Sequence, residues 1–111
     1  MGIQNWSESV ILVNLAAEPQ MSEELKTVIE IIRDHGDCNV VVDFAAVELI
    51  TSSSLAKLLK LRKLLESCEH KLILCGLSKR ARGVFGVTGL GDIFEFAENH
   101  FIALASLQLM V

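Results

Sequence analysis

Between residues 47 and 55 the chain reads Val-Glu-Leu-Ile-Thr-Ser-Ser-Ser-Leu, and the rest of the sequence is organised around this stretch. The β-rich run before it predicts a buried strand, and the apolar periodicity after it predicts a long helix. Four hydroxyls, from Thr51 to Ser54, therefore fall at a helix N-terminus, where unpaired N–H groups favour an oxygen or a phosphate. Serine and threonine are also ordinary N-cap residues. Two interpretations are open: a polar cap, or a site.

The length and hydropathy of the chain predict one domain over residues 1–111, without a membrane span. At 111 residues there is room for one sizeable core. Although 51% of the residues are hydrophobic, charges interrupt every apolar run, and none approaches the roughly 20 residues that a spanning helix needs. Residues 1–6 lack a basic leader followed by an apolar stretch, so no signal peptide is expected. We therefore expect a cytoplasmic protein.

The charged residues and the cysteines exclude further classes. A net charge of −4, with five Phe, one Trp and no Tyr, argues against nucleic-acid binding. Cys38, Cys68 and Cys75 are widely spaced, form no CxxC pair and lack the Cys/His spacing of a zinc site. Because each lies in or beside an apolar segment, we expect three buried free thiols. No metal or cofactor is predicted.

Strand and helix patterns alternate along the chain, which predicts an α/β fold. The expected sheet is mixed, mostly parallel and four- to five-stranded, with about four helices packed against it. Strands are predicted over 9–15, 38–44, 71–75 and 93–96, with a weaker signal over 2–7. Helices are predicted over 22–35, 53–69, 79–85 and 98–109.

Individual residues are expected to bound these elements. Ser22 and Ser78 are predicted N-caps, and Gly36 is the predicted terminator of the first helix. Asp43, at the end of a strand, is either a site carboxylate or a turn cap. Arg62 falls within the apolar arc of its helix, so its side chain must reach out to water or find a partner.

Sites in open α/β sheets gather beyond the carboxyl ends of the strands. The loops after the three central strands are candidates to meet there. They would bring Glu18 and the four hydroxyls close to Lys79, Arg80 and Arg82. Three cations at the start of a helix are disfavoured by its dipole, which hints at a binding surface, although a solvated basic turn is the alternative.

Catalytic motifs are missing from the sequence. The serines lack the glycines of a G-x-S-x-G elbow, and the three histidines do not cluster. There is no Walker A loop, dinucleotide fingerprint or HExxH sequence. We therefore predict no catalytic residue and no enzyme activity.

Four segments together resemble the STAS domain of bacterial anti-sigma factor antagonists. They are Val40–Phe44, Leu49–Leu58, Lys71–Ser78 and Val87–Phe94. The resemblance covers roughly residues 10–108, and its most specific parts are the strand-to-helix segment and the Thr-Gly-Leu turn at 88–90.

This resemblance implies that Ser52 is the serine phosphorylated by a partner that is both anti-sigma factor and serine kinase. Thr51 replaces the Asp of the family pattern and Ser54 replaces its Gly, while Ser53 is the expected helix cap. Glu18 falls where an acidic residue often contacts the partner. A docking surface of Glu18, the four hydroxyls and the basic group at 79–82 is therefore expected. A serine phosphatase and a second copy of the chain are further candidate partners.

Four functions follow as hypotheses. The first is a non-enzymatic regulatory module whose docking is switched off by phosphorylation of Ser52. The second is a STAS-like scaffold that has lost the switch, which Thr51 and Ser54 favour, and that works through constitutive contacts. The third is an anion- or nucleotide-sensing domain that uses the helix N-terminus. A hydrolase comes last, because no base is evident.

Overall fold

The computed structural model describes residues 2–108, in which two strands are followed by helices and strands in alternation. The strands are β1 Gly2–Ser7, β2 Val10–Asn14, β3 Asn39–Asp43, β4 Leu72–Cys75 and β5 Glu95–Ala97. The helices are α1 Gln20–Asp34, α2 Ser52–Ser67, α3 Lys79–Val87 and α4 His100–Gln108. The predicted extension of the last helix to residue 109, and positions 1 and 109–111 of the predicted domain, lie outside the described residues.

The strands form one mixed sheet in the order β1-β2-β3-β4-β5. β1 pairs antiparallel with β2, and the other three pairings are parallel. The fold class is therefore confirmed, including the weakly signalled strand at the N-terminus. Parallel strands need cover on both faces, which explains why β2, β3 and β4 read as continuous apolar runs.

Helices cover the two faces of the sheet unequally. The larger core packs α1, α2 and α3 against one face, through residues such as Val13, Val42 and Leu74. The smaller core packs Ala103, Leu104 and Leu107 of α4 against the other face. Alternate residues of each central strand supply the two cores, because successive side chains point to opposite faces. No helix within residues 2–108 combines the length and apolar character needed to cross a membrane.

The start of α1 differs from the prediction. The helix begins at Gln20, with Pro19 at the N-cap position, so Ser22 lies in its first turn and is not the cap. The Glu18 carboxylate provides the acceptor instead, since its Oε1 accepts a hydrogen bond from Ser22 N at 3.0 Å. At the other end α1 stops at Asp34, two residues before Gly36.

One of the three cysteines is not buried. Cys38 and Cys75 lie in the core, but Cys68 is exposed, and all three are free thiols. α2 ends at Ser67, two residues before the predicted end at 69, and its last buried residue is Leu65. Cys68 therefore occupies the C-cap position, beyond the last buried turn.

The final strand begins two residues later than predicted, at Glu95. Ile93 and Phe94 precede it in a turn, and the Phe94 ring packs edge-on to Phe85 with centroids 5.4 Å apart. The apolar character of Phe94 thus reflects core packing, while Ile93 is 39% exposed. Arg62 has found a partner in this turn, because its Nε donates to the carbonyl of Ile93 at 3.0 Å.

Candidate docking and modification site

The candidate site lies beyond the carboxyl ends of β2 and β3, which are neighbours in the sheet. The loop after β2 runs beside the loop after β3, and Leu15 N donates to the carbonyl of Asp43 at 3.0 Å. Ala16 N donates to Glu24 Oε1 at 2.7 Å, which fixes the first loop to α1. The sheet therefore holds residues 15–19 and 44–51 side by side, as the open-sheet rule predicts.

Thr51 is the N-cap of α2. Its backbone is extended, with φ −88° and ψ 161°, and its Oγ1 accepts from Ser54 N at 3.1 Å. The prediction that Ser53 is the cap is wrong. Ser53 lies inside the first turn, where its hydroxyl accepts from Lys57 Nζ at 3.1 Å. A cap must precede the first helical residue, and α2 begins at Ser52.

A single carboxylate joins the two loops. Glu18 Oε2 lies 3.2 Å from Thr51 Oγ1 and 3.4 Å from Ser54 Oγ, and both hydroxyls donate towards it. Desolvation raises the pKa of Glu18, but hydrogen bonds from Ser22, Thr51 and Ser54 outweigh it and hold that pKa below its usual value. Glu18 therefore lies ionised between α1 and α2, in contact with the predicted hydroxyl cluster.

Ser54 points into the protein. Its side chain is fully buried, at 0% exposure, with its hydroxyl also within 3.0 Å of Thr51 Oγ1. A buried hydroxyl must be hydrogen-bonded, and Thr51 and Glu18 satisfy it. The replacement of the glycine in the family pattern thus adds no side chain to the exposed surface.

Ser52 differs from the three hydroxyl residues around it. It is the first residue of α2 and is exposed. Within residues 2–108 its hydroxyl makes no hydrogen bond, whereas those of Thr51, Ser53 and Ser54 all have partners. The hydroxyl that the resemblance selected is therefore the one left free for a partner or a modification.

A shallow groove of about 680 Å³ lies beside this helix start. It is lined by Ala45, Ala46 and Leu49 and by the acidic side chains of Glu18 and Glu48. Leu49 is 59% exposed, and the sequence pattern does not distinguish it as a surface residue. The groove suits a partner that offers an apolar side chain flanked by cations.

Asp43 lies next to the groove but is structural. Its Oδ1 accepts from Ala45 N at 2.9 Å, and its Oδ2 lies 2.8 Å from His100 Nδ1. Of the two alternatives, the turn cap holds, and the carboxylate also fixes the start of α4. This pair could not be predicted from the sequence, because the two residues are 57 positions apart.

The three cations of α3 lie outside the hydrogen-bond network around Glu18. Ser78 caps α3 as predicted, through Ala81 N at 3.1 Å. Arg82 lies over the Phe96 ring, 3.6 Å from its centroid, which is a cation–π contact. Among the described residues no hydrogen bond or ion pair joins Lys79, Arg80 or Arg82 to Glu18 or the hydroxyls.

Within residues 2–108 no three His, Cys, Asp or Glu side chains are grouped so as to hold a metal ion. Fold and site together define a small α/β domain with a free serine at a helix start beside an exposed groove. The family model for the STAS domain matches residues 9–101. The chain belongs to this family.

Known proteins of similar sequence and structure agree. The chain is 31% identical over 97 residues to "Putative anti-sigma factor antagonist BtrV" of Bordetella bronchiseptica, covering 87% of this chain and 80% of that protein. The unphosphorylated form of the anti-sigma factor antagonist SpoIIAA has the same fold, with a TM-score of 0.81 at 20% identity over 98% of this chain and 96% of SpoIIAA. The phosphorylated form of SpoIIAA, a Bacillus cell fate determinant, gives 0.70 at 18% identity over 94% and 96%.

Proposed function

We propose that this chain is a non-enzymatic regulatory module that acts as an anti-sigma factor antagonist. It docks on an anti-sigma factor that is also a serine kinase, and phosphorylation of Ser52 switches the docking off. One observation carries the proposal: the Ser52 hydroxyl is exposed at the first position of α2 and makes no hydrogen bond within residues 2–108, whereas the hydroxyls next to it do. The phosphorylated form of SpoIIAA and the likeness to BtrV support it.

Phosphoryl transfer to this chain requires only an accessible acceptor hydroxyl from it. The Ser52 oxygen bonds to the γ-phosphorus of ATP, the bond from that phosphorus to ADP breaks, and a base of the kinase takes the hydroxyl proton. The chain supplies an accessible acceptor on a fixed helix start, which is a matter of positioning. A serine phosphatase would reset the switch, and the module would work in the cytoplasm, where ATP is present.

The groove explains why the phosphate would end docking. Glu18 and Glu48 line the groove together with Leu49, so the matching surface of the kinase carries cations and an apolar group for Leu49. A phosphate on Ser52 places a bulky, strongly hydrated group next to Thr51 and Glu18. Its size, its desolvation cost and its repulsion from Glu18 would keep the apolar surfaces apart, and these effects outweigh its attraction to the cations of the kinase. Lys79, Arg80 and Arg82, at the start of α3, would form a second docking region of opposite charge.

One observation favours a constitutive scaffold as the alternative. Thr51 and Ser54 are held by Glu18, so the helix start that carries Ser52 is fixed in place by residues that the family pattern lacks. If the kinase cannot accommodate this arrangement, the module would still dock through the groove but would not be switched.

Phosphotransfer to Ser52 can be tested with the anti-sigma kinases encoded by the source organism, each incubated with the chain, ATP and Mg²⁺. Intact-mass spectrometry should find one added phosphoryl group on the wild type and on Ser53→Ala, and none on Ser52→Ala. Ser53→Ala is the matched control, because it removes the adjacent exposed hydroxyl.

Binding to the same kinases distinguishes the two functions. The switch predicts that Ser52→Asp weakens binding at least about tenfold, as expected for a misplaced charge at an interface, while Ser52→Ala binds like the wild type. Equal affinity for Ser52→Ala, Ser52→Asp and wild type, with no phosphotransfer, would establish the scaffold instead. No binding to any of the kinases would refute both.

A further inference from the structure

The first strand of the sheet has an open edge. Within residues 2–108 β1 pairs with β2 alone, so every second residue of β1 directs its N–H and C=O away from the sheet. The strand contains no Asp, Glu, Lys, Arg or Pro, the residues that usually protect such an edge. A bulge between Asn5 and Ser7 interrupts the register, so regular pairing extends over residues 2–5. That part of β1 is able to accept a further strand.

The opposite edge of the sheet is better protected. β5 is short and comprises only Glu95–Ala97. Glu95 forms an ion pair with Lys71 at 3.1 Å, and the Arg82 guanidinium lies over the Phe96 ring. Short length and charged side chains both discourage a strand from adding to an edge. Of the two edges, β1 is therefore the one open to a strand.

A groove of about 590 Å³ lies beside β1, and we call it the edge groove. Its lining includes Ile3 and Asn5 of β1, Ile11 of β2 and Ile31 of α1. Ile3 and Asn5 are alternate residues, so their side chains lie on the same face of the strand. A strand added to β1 would direct every second side chain towards that face. The edge and the groove together therefore fit an extended peptide with apolar side chains at alternate positions.

The charges of the edge groove indicate which peptide it takes. Its lining includes two acidic residues, Glu8 and Asp37, and one histidine, His35, but no Lys or Arg. Glu8 lies in the turn between β1 and β2, and Asp37 lies just before β3, so both carboxylates are near the amino ends of β2 and β3. The net charge of the chain, −4, also attracts a basic ligand over a longer range. Charge complementarity thus favours a peptide that carries cations.

We propose that the β1 edge binds an extended, basic peptide segment of a partner protein as an additional strand of the sheet. Main-chain hydrogen bonds to residues 2–5 supply affinity, apolar side chains enter the edge groove, and a Lys or Arg pairs with Glu8 or Asp37. The edge groove lies towards the amino ends of β2 and β3, whereas Ser52 lies beyond their carboxyl ends. The peptide and the kinase therefore occupy opposite ends of these strands.

Tryptophan fluorescence measures binding at this edge, because the single Trp of the chain, Trp6, lies in β1 and is 48% exposed. The probe is the synthetic peptide Thr-Lys-Thr-Val-Thr-Val-Thr-Lys-Thr, whose Val and Lys side chains share one face of a strand. We expect saturable binding, with a dissociation constant at least about tenfold higher for the peptide in which Glu replaces both Lys. Hydrogen exchange of the β1 amides should slow in the complex, as strand addition requires.

Asn5→Lys and Gln4→Lys are a matched pair of variants, since both side chains are exposed and both changes add one charge to β1. Asn5 lines the edge groove, whereas Gln4 lies on the other face of the strand. Asn5→Lys should therefore weaken binding of the Lys peptide at least about tenfold, and Gln4→Lys less than about threefold. Circular dichroism verifies that both fold. Should Asn5→Lys not fold, Glu8→Gln, at an exposed turn residue, should also weaken binding.

Three results would each overturn the proposal: no binding of the Lys peptide, equal affinity for the Lys and Glu peptides, or unchanged exchange of the β1 amides in the complex. A dimer in sedimentation velocity that Asn5→Lys abolishes would also overturn it, because a second copy of the chain would then occupy the edge. Ser52→Asp should bind the peptide like the wild type. The proposed function is thus tested separately, by binding to the kinases.

Discussion

At the scale of single residues, the two departures from the family pattern prove to be connected. Thr51 replaces an Asp and Ser54 replaces a Gly, and the sequence presents them as two independent losses. In the structure both hydroxyls donate towards the same Glu18 oxygen, and Thr51 also caps α2. The carboxylate lost at position 51 is thus present nearby, supplied by the neighbouring loop. The four hydroxyls divide into one cap, one exposed hydroxyl with no hydrogen bond among the described residues, one partner of Lys57 and one buried residue.

Thr51→Val should separate the capping role from the acceptor role. Valine keeps the shape of threonine but neither accepts from Ser54 N nor donates to Glu18, so we expect a loss of about 1–2 kcal/mol in the free energy of unfolding. The adjacent change Ser52→Ala removes a hydroxyl that bonds nothing and should cost less than about 0.5 kcal/mol. Urea denaturation followed by circular dichroism measures both. Equal losses in the two variants would show that Thr51 is not the cap.

At the scale of elements, the order of strands and helices was predictable because apolar periodicity is local. The parallel strands read as continuous apolar runs, and α1 shows its stripe at Leu25, Val28, Ile29 and Ile32. Element ends were less predictable, since they depend on contacts between distant segments. The start of α1 is set by Glu18, and Phe94 reads as a strand residue although it packs on Phe85 before β5 begins. Composition alone could not reveal either contact.

The turn after β4 is another element end set by a distant contact. Gly76 has φ +69°, a conformation that costs an L-residue about 1–2 kcal/mol. A Cβ added there would lie 2.6 Å from Asp43 Oδ1, the oxygen that accepts from Ala45 N. The glycine therefore leaves room for the carboxylate that also holds His100.

Gly76→Ala should destabilise the protein by about 3 kcal/mol, because backbone strain and displacement of a buried carboxylate add. Gly89→Ala is the matched control. It has φ +76° but no atom within 4 Å of the added Cβ, so backbone strain alone should cost about 1 kcal/mol. Thermal and urea unfolding of the two variants give the comparison. A similar loss of unfolding free energy at both positions would mean that the Asp43 carboxylate moves away from the added Cβ without destabilising the protein.

At the scale of the whole molecule, the unequal cover of the sheet decides which surfaces are available. Among the described residues, three helices bury one face and α4 alone packs on the other, with Phe101 and Ile102 exposed. The sequence predicted helices against a mostly parallel sheet but could not assign them to faces, because that choice depends on the crossovers and on packing. Nor could the sequence place the α3 cations. It predicted them close to Glu18, whereas among the described residues no hydrogen bond or ion pair joins them to the network around Glu18.

The reactivity of the three cysteines measures how well the sheet is covered, because the three side chains differ in exposure. Burial, followed by the nearby Asp43 charge, raises the pKa of Cys75 to about 12, and burial also raises the pKa of Cys38. Since the thiolate is the reactive form, we expect one fast-reacting thiol per native chain, Cys68, with an aromatic disulfide reagent near pH 8. Cys75, beneath α4 and between two strands, should react only as the molecule opens globally. Cys68→Ser should abolish the fast phase, and all remaining thiols should react at once in denaturant. A second fast thiol in Cys68→Ser would mean that one face of the sheet is more open than the packing described here.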